Sequence, residues 1–293
     1  MPKDLRQISP EGQALTIMPV SEDKPTRIIE ATDRSSLRLG ELWSYRELLW
    51  VLTERDIKVR YKQTTMGIAW ALLQPLAAML IFTLFFGRLA KIPSDGVPYP
   101  IFVFAALVPW TFFSNAISNS AISLVDSSNL VGKVYFPRLI IPLSAIGAWL
   151  VDFFIAGLIL LVMMLGYDVG WTLNLLAAPI ILIAVMLTAL GVGTLLSALT
   201  VAYRDFRYAI PFIIQLWMFA TPVVYPASMV PEKWRWVLHL NPMAGLIEAF
   251  RSSFLGLPFD IAAITISFSV ALLIFALGVW YFERVERTFA DII

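Results

Sequence analysis

Residues 39–86 read LGELWSYRELLWVLTERDIKVRYKQTTMGIAWALLQPLAAMLIFTLFF. The first half is amphipathic and charged, whereas residues 64–86 contain no Lys, Arg, Asp or Glu. A bilayer core about 30 Å thick takes about 20 apolar residues in helical form, so 64–86 predicts a membrane span. The half before it predicts a helix lying at the membrane surface, and its cations mark the cytoplasmic side.

The composition agrees. Of 293 residues, 59% are hydrophobic and 15% charged, against about 25% charged in ordinary globular chains. This is the composition of an integral membrane protein. A net charge of +1 argues against a nucleic-acid partner. With no cysteine and one histidine, His239, disulfides, thiolate metal sites and multi-histidine centres are excluded, and no metal site is expected. Residues 1–37 have no long apolar run, so they do not form a signal peptide. They read as a flexible cytoplasmic tail, compatible with a short strand or helix around Arg27 and Glu30.

Within the interface helix, residues 38–63, Leu42, Tyr45, Leu49 and Leu52 recur at steps of three and four and form one apolar stripe. Glu54 with Lys58, and Asp56 with Arg60, are i,i+4 pairs of opposite charge. The alternation in DIKVRYK also permits a strand; the helix is preferred because the segment runs into one.

Five further apolar runs predict spans at 101–125, 140–165, 175–201, 209–225 and 261–282, giving six. Ser114, Asn115, Ser118, Asn119 and Ser123 gather on one side of the second, which faces either a wet pathway or other helices through hydrogen bonds. Asp152, near the middle of the third, is either a proton-relay acid or a structural hydrogen-bonding or capping group. Ala189, Gly193 and Ser197 form a small-residue stripe on the fourth, suited to close helix contact. The fifth is short and interrupted by Pro211, Pro222 and Pro226. Between it and the sixth, Asn241 before Pro242 reads as a helix start and Gly256 as a stop. Two short interfacial or re-entrant helices are therefore expected at 229–240 and 242–255, with Trp234, Trp236 and Phe250 at the interface. The expected fold is all-α, with a membrane domain over 64–293. Twelve Lys and Arg fall on the side of the interface helix and five on the other, which puts both termini in the cytoplasm.

No phosphate-binding G-x-x-x-x-G-K-[ST] loop is present, and Gly132–Lys133 lacks the upstream glycine. Hydrolase and metalloprotease motifs and intramembrane carboxylate chains are also missing, so neither an enzyme nor an ion-coupled transporter is indicated. A transport bundle of this kind holds no cofactor and takes its energy from elsewhere.

Four stretches carry a resemblance: RDIKVRYKQTTMGIAWALLQPL (55–76), PYPIFVFAALVPWTFFSNAISNSAISLV (98–125), NLVGKVYFPRLIIP (129–142) and NPMAGLIEAFRSSFLG (241–256). They resemble the membrane subunit of ATP-binding-cassette polysaccharide exporters, which move lipid-linked O-antigen, capsule or teichoic-acid chains, and the likeness covers about 38–290. It implies a bacterial inner-membrane homodimer surrounded by membrane lipid. Two copies of a separate ATPase would bind ATP and magnesium, and a lipid-linked polysaccharide would pass between the two membrane subunits. By position, Glu54, Arg55, Lys58 and Arg60 on the interface helix, with Lys133 and Arg138 in a coupling loop over 126–138, would face the ATPase. The helices at 229–255, with Trp234, Trp236, Glu248 and Arg251, resemble an extracytoplasmic gate. Trp70, Trp110, Phe112, Phe113, Trp149, Trp217 and Tyr225, with Asn115 and Asn119, become candidates for lining the channel, since sugars stack on aromatic faces; packing against lipid or core is the other reading. Two alternatives stand beside this one: an exporter of drugs or small lipids with the same architecture, and a secondary transporter or channel.

Overall fold

A computed structural model describes residues 39–62, 69–286 and 289, and the expectations for residues 1–37 and for the start of the first span lie outside them. Two short helices come first, α1 (Leu39–Ser44) and α2 (Arg46–Lys62). After them come α3 (Ala69–Phe82), which continues as a wider π-type turn over Thr83–Leu89, and α4 (Tyr99–Asp126). The chain returns through α5 (Ser128–Val131) to α6 (Ile140–Ala148) and α7 (Leu150–Gly166), which a single residue, Trp149, separates. Next are α8 (Ala178–Ala202), α9 (Phe206–Phe219), α10 (Glu232–Leu240), α11 (Pro242–Leu255) and α12 (Ile261–Val285). No strand occurs among the described residues, so 56–62 is helical.

Five stretches of the described chain are long and apolar enough to cross a membrane: Ala69–Leu89, Tyr99–Asp126, Ile140–Gly166, Leu173–Ala202 and Ile261–Val285. The run expected to cross at 209–225 is helical only as α9, 14 residues, about 21 Å at 1.5 Å per residue. It passes through Pro211 and ends before Pro222.

α4 is the axis of the bundle, buried along most of its length against α3, α6, α7, α8 and α11. Its polar side is satisfied largely within the helix. Ser118 Oγ donates to the Ser114 carbonyl at 2.7 Å, Ser123 Oγ to Ser120 at 2.7 Å, and the Asn119 amide to Asn115 at 2.9 Å. Back-bonding of this kind removes the cost of a bare polar group in an apolar setting without a partner helix.

Lipid is as apolar as leucine, so membrane helices associate by close van der Waals packing rather than by hiding apolar surface from water. Small residues mark where this happens. The Ala189–Gly193–Ser197 stripe is buried, and a Cβ on Gly193 would lie 2.6 Å from Ser120 Oγ of α4. The tightest approach is between α8 and α12, where a Cβ on Gly278 would lie 2.0 Å from the Gly191 carbonyl oxygen.

Candidate functional site

The cation-rich end of the bundle is built on α2. Leu52 is buried in a cluster with Leu124, Val131 and Phe282, and Leu42, Tyr45 and Leu49 pack against it, so the expected apolar stripe is the inner face of this helix. Continued in steps of four, the same face carries Asp56 and Arg60. Asp56 accepts a 3.3 Å bond from Ser144 Oγ of α6. Arg60 forms a 2.6 Å ion pair with Asp152 of α7, and its guanidinium lies 3.5 Å from the centre of the Trp149 ring at the α6–α7 break. The Tyr61 hydroxyl donates to the other Asp152 oxygen. Burial, with the Asp152 carboxylate, pushes the Tyr61 hydroxyl up to about 12, so it remains a donor. Asp152 therefore anchors the end of α2.

The outer face of α2 carries the other charges. Glu54 and Lys58 pair at 2.5 Å as the spacing predicted, while Arg55 pairs with Asp56 at 2.8 Å and Arg60 turns away to Asp152. Exposed ion pairs of this kind contribute about 0–1 kcal/mol and leave the charges open to a partner. In the loop after α5, Lys133 is exposed together with Val134 and Tyr135, two apolar side chains with no apolar reason to face water. Arg138 is held inward: its backbone N–H donates to the Glu286 carboxylate at 2.9 Å and its guanidinium to the Glu286 carbonyl, which ties the loop to the end of α12.

At the opposite end, α11 starts and stops where the sequence indicated. The Asn241 side chain accepts from the Met243 N–H at 3.1 Å as an N-cap, and Gly256 takes a positive φ of 68°. Asn241 also binds the end of α9, accepting from Trp217 Nε1 at 2.9 Å and donating to Thr221 Oγ1 at 2.8 Å. Arg251 is 2% exposed, stacks 3.7 Å from the Phe102 ring centre, and donates to the carbonyls of Phe102, Pro222 and Val223 at 3.3, 2.8 and 3.2 Å. Burial pulls its guanidinium down to about 10, so it keeps its charge at neutral pH. Glu248 accepts from the Ala227 N–H at 2.9 Å, and burial pushes its carboxyl above the ordinary carboxylate range. Arg251 and Glu248 thus hold irregular backbone together, while Trp234 and Trp236 on α10 are exposed.

The aromatic candidates divide by burial. Trp110, Phe112 and Phe113 are interior, each 4% exposed or less. Trp217 is half-buried and rests edge-on against Phe113 with ring centres 5.1 Å apart. Asn115, Asn119, Trp149 and Tyr225 are half-buried as well, and Trp70 is exposed. Trp149 carries Arg60. The sequence reading left Tyr61 and the Arg207–Asp126 pair (3.0 Å) without a role, and it gave Asn241 its cap but not its bonds to Trp217 and Thr221.

A family profile described as ABC-2 type transporter matches residues 47–255. Among curated proteins, the chain is similar to the O-antigen export system permease protein RfbA of Myxococcus xanthus, with 31% identity over 217 residues, 73% of this chain and 82% of that protein. It is similar to RfbA of Klebsiella pneumoniae, with 28% identity over 248 residues, 84% of this chain and 95% of the relative. The polysialic acid transport protein KpsM of Escherichia coli matches at 21% identity over 204 residues, 68% of this chain and 78% of that protein.

Proposed function

Because the chain belongs to the ABC-2 type transporter family, we propose that it is the permease subunit of an ATP-driven exporter that carries a lipid-linked polysaccharide across a bacterial inner membrane. The observation that carries this reading is a family match over 47–255 together with O-antigen export permeases matched across most of their length. In this reading the chain is not an enzyme. ATP and magnesium bind a separate ATPase, present in two copies, beneath a homodimer of this chain with both termini in the cytoplasm.

The cation-rich end supplies the contacts for that ATPase. Lys133, Val134 and Tyr135 project as an exposed tip, and Glu54, Arg55 and Lys58 line the outer face of α2. Movement of α2 reaches the spans through Arg60, whose ion pair with Asp152 grips α7 beside its break. α9 and the irregular segment after it complete the sixth crossing. Irregular backbone at membrane depth is tolerated where protein satisfies its polar groups, and Asn241 and Arg251 do so here. The glycan passes at the seam between two copies, where Trp70, Trp217, Tyr225, Asn115 and Asn119 keep surface to offer, with Trp110, Phe112 and Phe113 packed behind. The helices α10 and α11 close the far end, with Trp234 and Trp236 at its surface.

The test is reconstitution. The chain is purified from its native membrane with whatever ATPase accompanies it, placed in proteoliposomes, and assayed for ATP-dependent movement of lipid-linked glycan to the lumen. Transport that needs both subunits is the expected result. ATP hydrolysis by this chain alone, or transport with no ATPase present, would overturn the reading.

A further inference from the structure

At the cation-rich end, between α4, α8 and α9, lies a cleft of about 300 Å³, at the small end of ligand sites and large enough for a headgroup. Val125 and Val201 form apolar wall, while Ser128, Arg204, Arg207 and Tyr208 supply polar groups. Arg207 is held by Asp126 at 3.0 Å. Arg204 is exposed, and among the described residues no carboxylate or carbonyl pairs with it. An arginine left unpaired at the end of a membrane bundle, beside a second one with a single competitor, is a geometry that receives an anionic oxygen group.

The surface above the cleft indicates what the anion is attached to. From Tyr208, α9 presents Phe212, Leu216 and Phe219 at steps of four, four and three, all exposed, so one apolar row leads away from the two arginines along the helix. A ligand matching both parts has a charged phosphate head and a hydrocarbon tail. A protein partner would more readily meet a projecting surface such as 133–135 than a recess that opens onto an apolar row.

We propose that this cleft is a binding site for the phosphate headgroup of a membrane lipid, with Arg204 and Arg207 on the phosphate and the chain of the lipid lying along Tyr208, Phe212 and Leu216. Asp126 acts as the competitor that the phosphate displaces from Arg207. The inference does not rest on the exporter reading, because a lipid bound here without any glycan export leaves it intact.

Native mass spectrometry of the full chain, purified with its accompanying subunits, tests it with three probes: a polyprenyl phosphate, phosphatidylglycerol and inorganic phosphate. The double variant R204Q/R207Q should bind both lipids at least about tenfold more weakly, through loss of two charge-assisted contacts. R204K should stay within about threefold of the parent, since a point charge still meets phosphate. D126N should bind more tightly, because Arg207 is released. Selective binding of the polyprenyl phosphate would identify the lipid as a carrier, and equal binding of both lipids would identify a general anionic-lipid site; both support the proposal. Inorganic phosphate binding as tightly as the lipids, or lipid binding unchanged in the double variant, would overturn it. So would a double variant that loses its accompanying subunit and keeps its lipid, which would make the cleft a protein interface.

Discussion

Arg60 and Asp152 meet at 2.6 Å across 92 positions of sequence, one on the last turn of the surface helix α2 and the other on the first turn of α7. The arginine also lies over Trp149 and the carboxylate also accepts from Tyr61, so the pair is the centre of a four-residue cluster. Removing one partner of a fully buried pair costs about 3–5 kcal/mol, because the other is left uncompensated. Here the side chains keep 24% and 12% of their surface, so about 2 kcal/mol is the expectation for D152N or R60A. Thermal unfolding in detergent should fall by several degrees in each single variant, and the double variant should fall by less than their sum. Strict additivity in that cycle would show that the two side chains do not interact. In the reconstituted exporter, D152N should lower transport more than it lowers ATPase binding.

This cluster also shows where the sequence was legible and where it was not. The stripe Leu42–Tyr45–Leu49–Leu52 is local, and stepping it onward by four lands on Asp56 and Arg60. A buried face that ends in charges has to meet polar partners on another element. Pairing those two with each other was the choice that sequence spacing offered; the structure prefers Ser144 and Asp152, whose nearness depends on how α2 crosses α6 and α7. Caps follow the same division. Asn241–Pro242 and Gly256 obey rules within a few residues and were readable, whereas Arg251 entered only as a gate residue by resemblance, because nothing near it in sequence announces the carbonyls of Pro222 and Val223 that follow α9. The family resemblance came from stretches longer than any one of these contacts, and for that reason it outran the assignment of individual residues.

The exposed tip at 133–135 gives a prediction for the partner. Val134 and Tyr135 expose more than half their surface, and a buried aromatic anchor at an interface centre contributes about 2 kcal/mol or more. Y135A should therefore reduce ATPase retention during co-purification by tenfold or more, with K133E adding a salt-sensitive loss. Because Val134 and Tyr135 belong to neither buried cluster among the described residues, the melting temperature of the isolated subunit should barely move. Full retention of the ATPase in Y135A/K133E would remove the tip from the interface.

The α8–α12 crossing predicts a contrast between glycines. A methyl on Gly278 would lie 2.0 Å from the Gly191 carbonyl oxygen, inside van der Waals contact with backbone that cannot swing aside. G278A should force the helices apart at a cost of about 1–3 kcal/mol, read as a lower melting temperature and a larger loss for G278V. Gly157 sits in helix with nothing within 4 Å of the added atom, so G157A should be neutral or gain about 0.5–1 kcal/mol. Equal effects at the two positions would mean that the close approach does not limit packing.

Glu248 predicts a dependence on pH. Burial raises its carboxyl above the ordinary value of 4.5, and the Ala227 N–H and Arg251 offset this only in part. A folded-state pKa above the unfolded one means that the native protein binds this proton more strongly. The contribution is complete below the ordinary carboxylate value and is lost as pH rises through the raised one. At neutral pH, above the ordinary carboxylate value, the parent therefore bears the desolvation cost of this half-buried carboxyl group. E248Q stays neutral throughout and can still accept from Ala227 through Oε1, so it should melt a few degrees higher than the parent at neutral pH. The gap should close as the pH falls to about 4, where both side chains are uncharged. A parent and variant whose separation is the same across that range would show that Glu248 does not titrate between the folded and unfolded states.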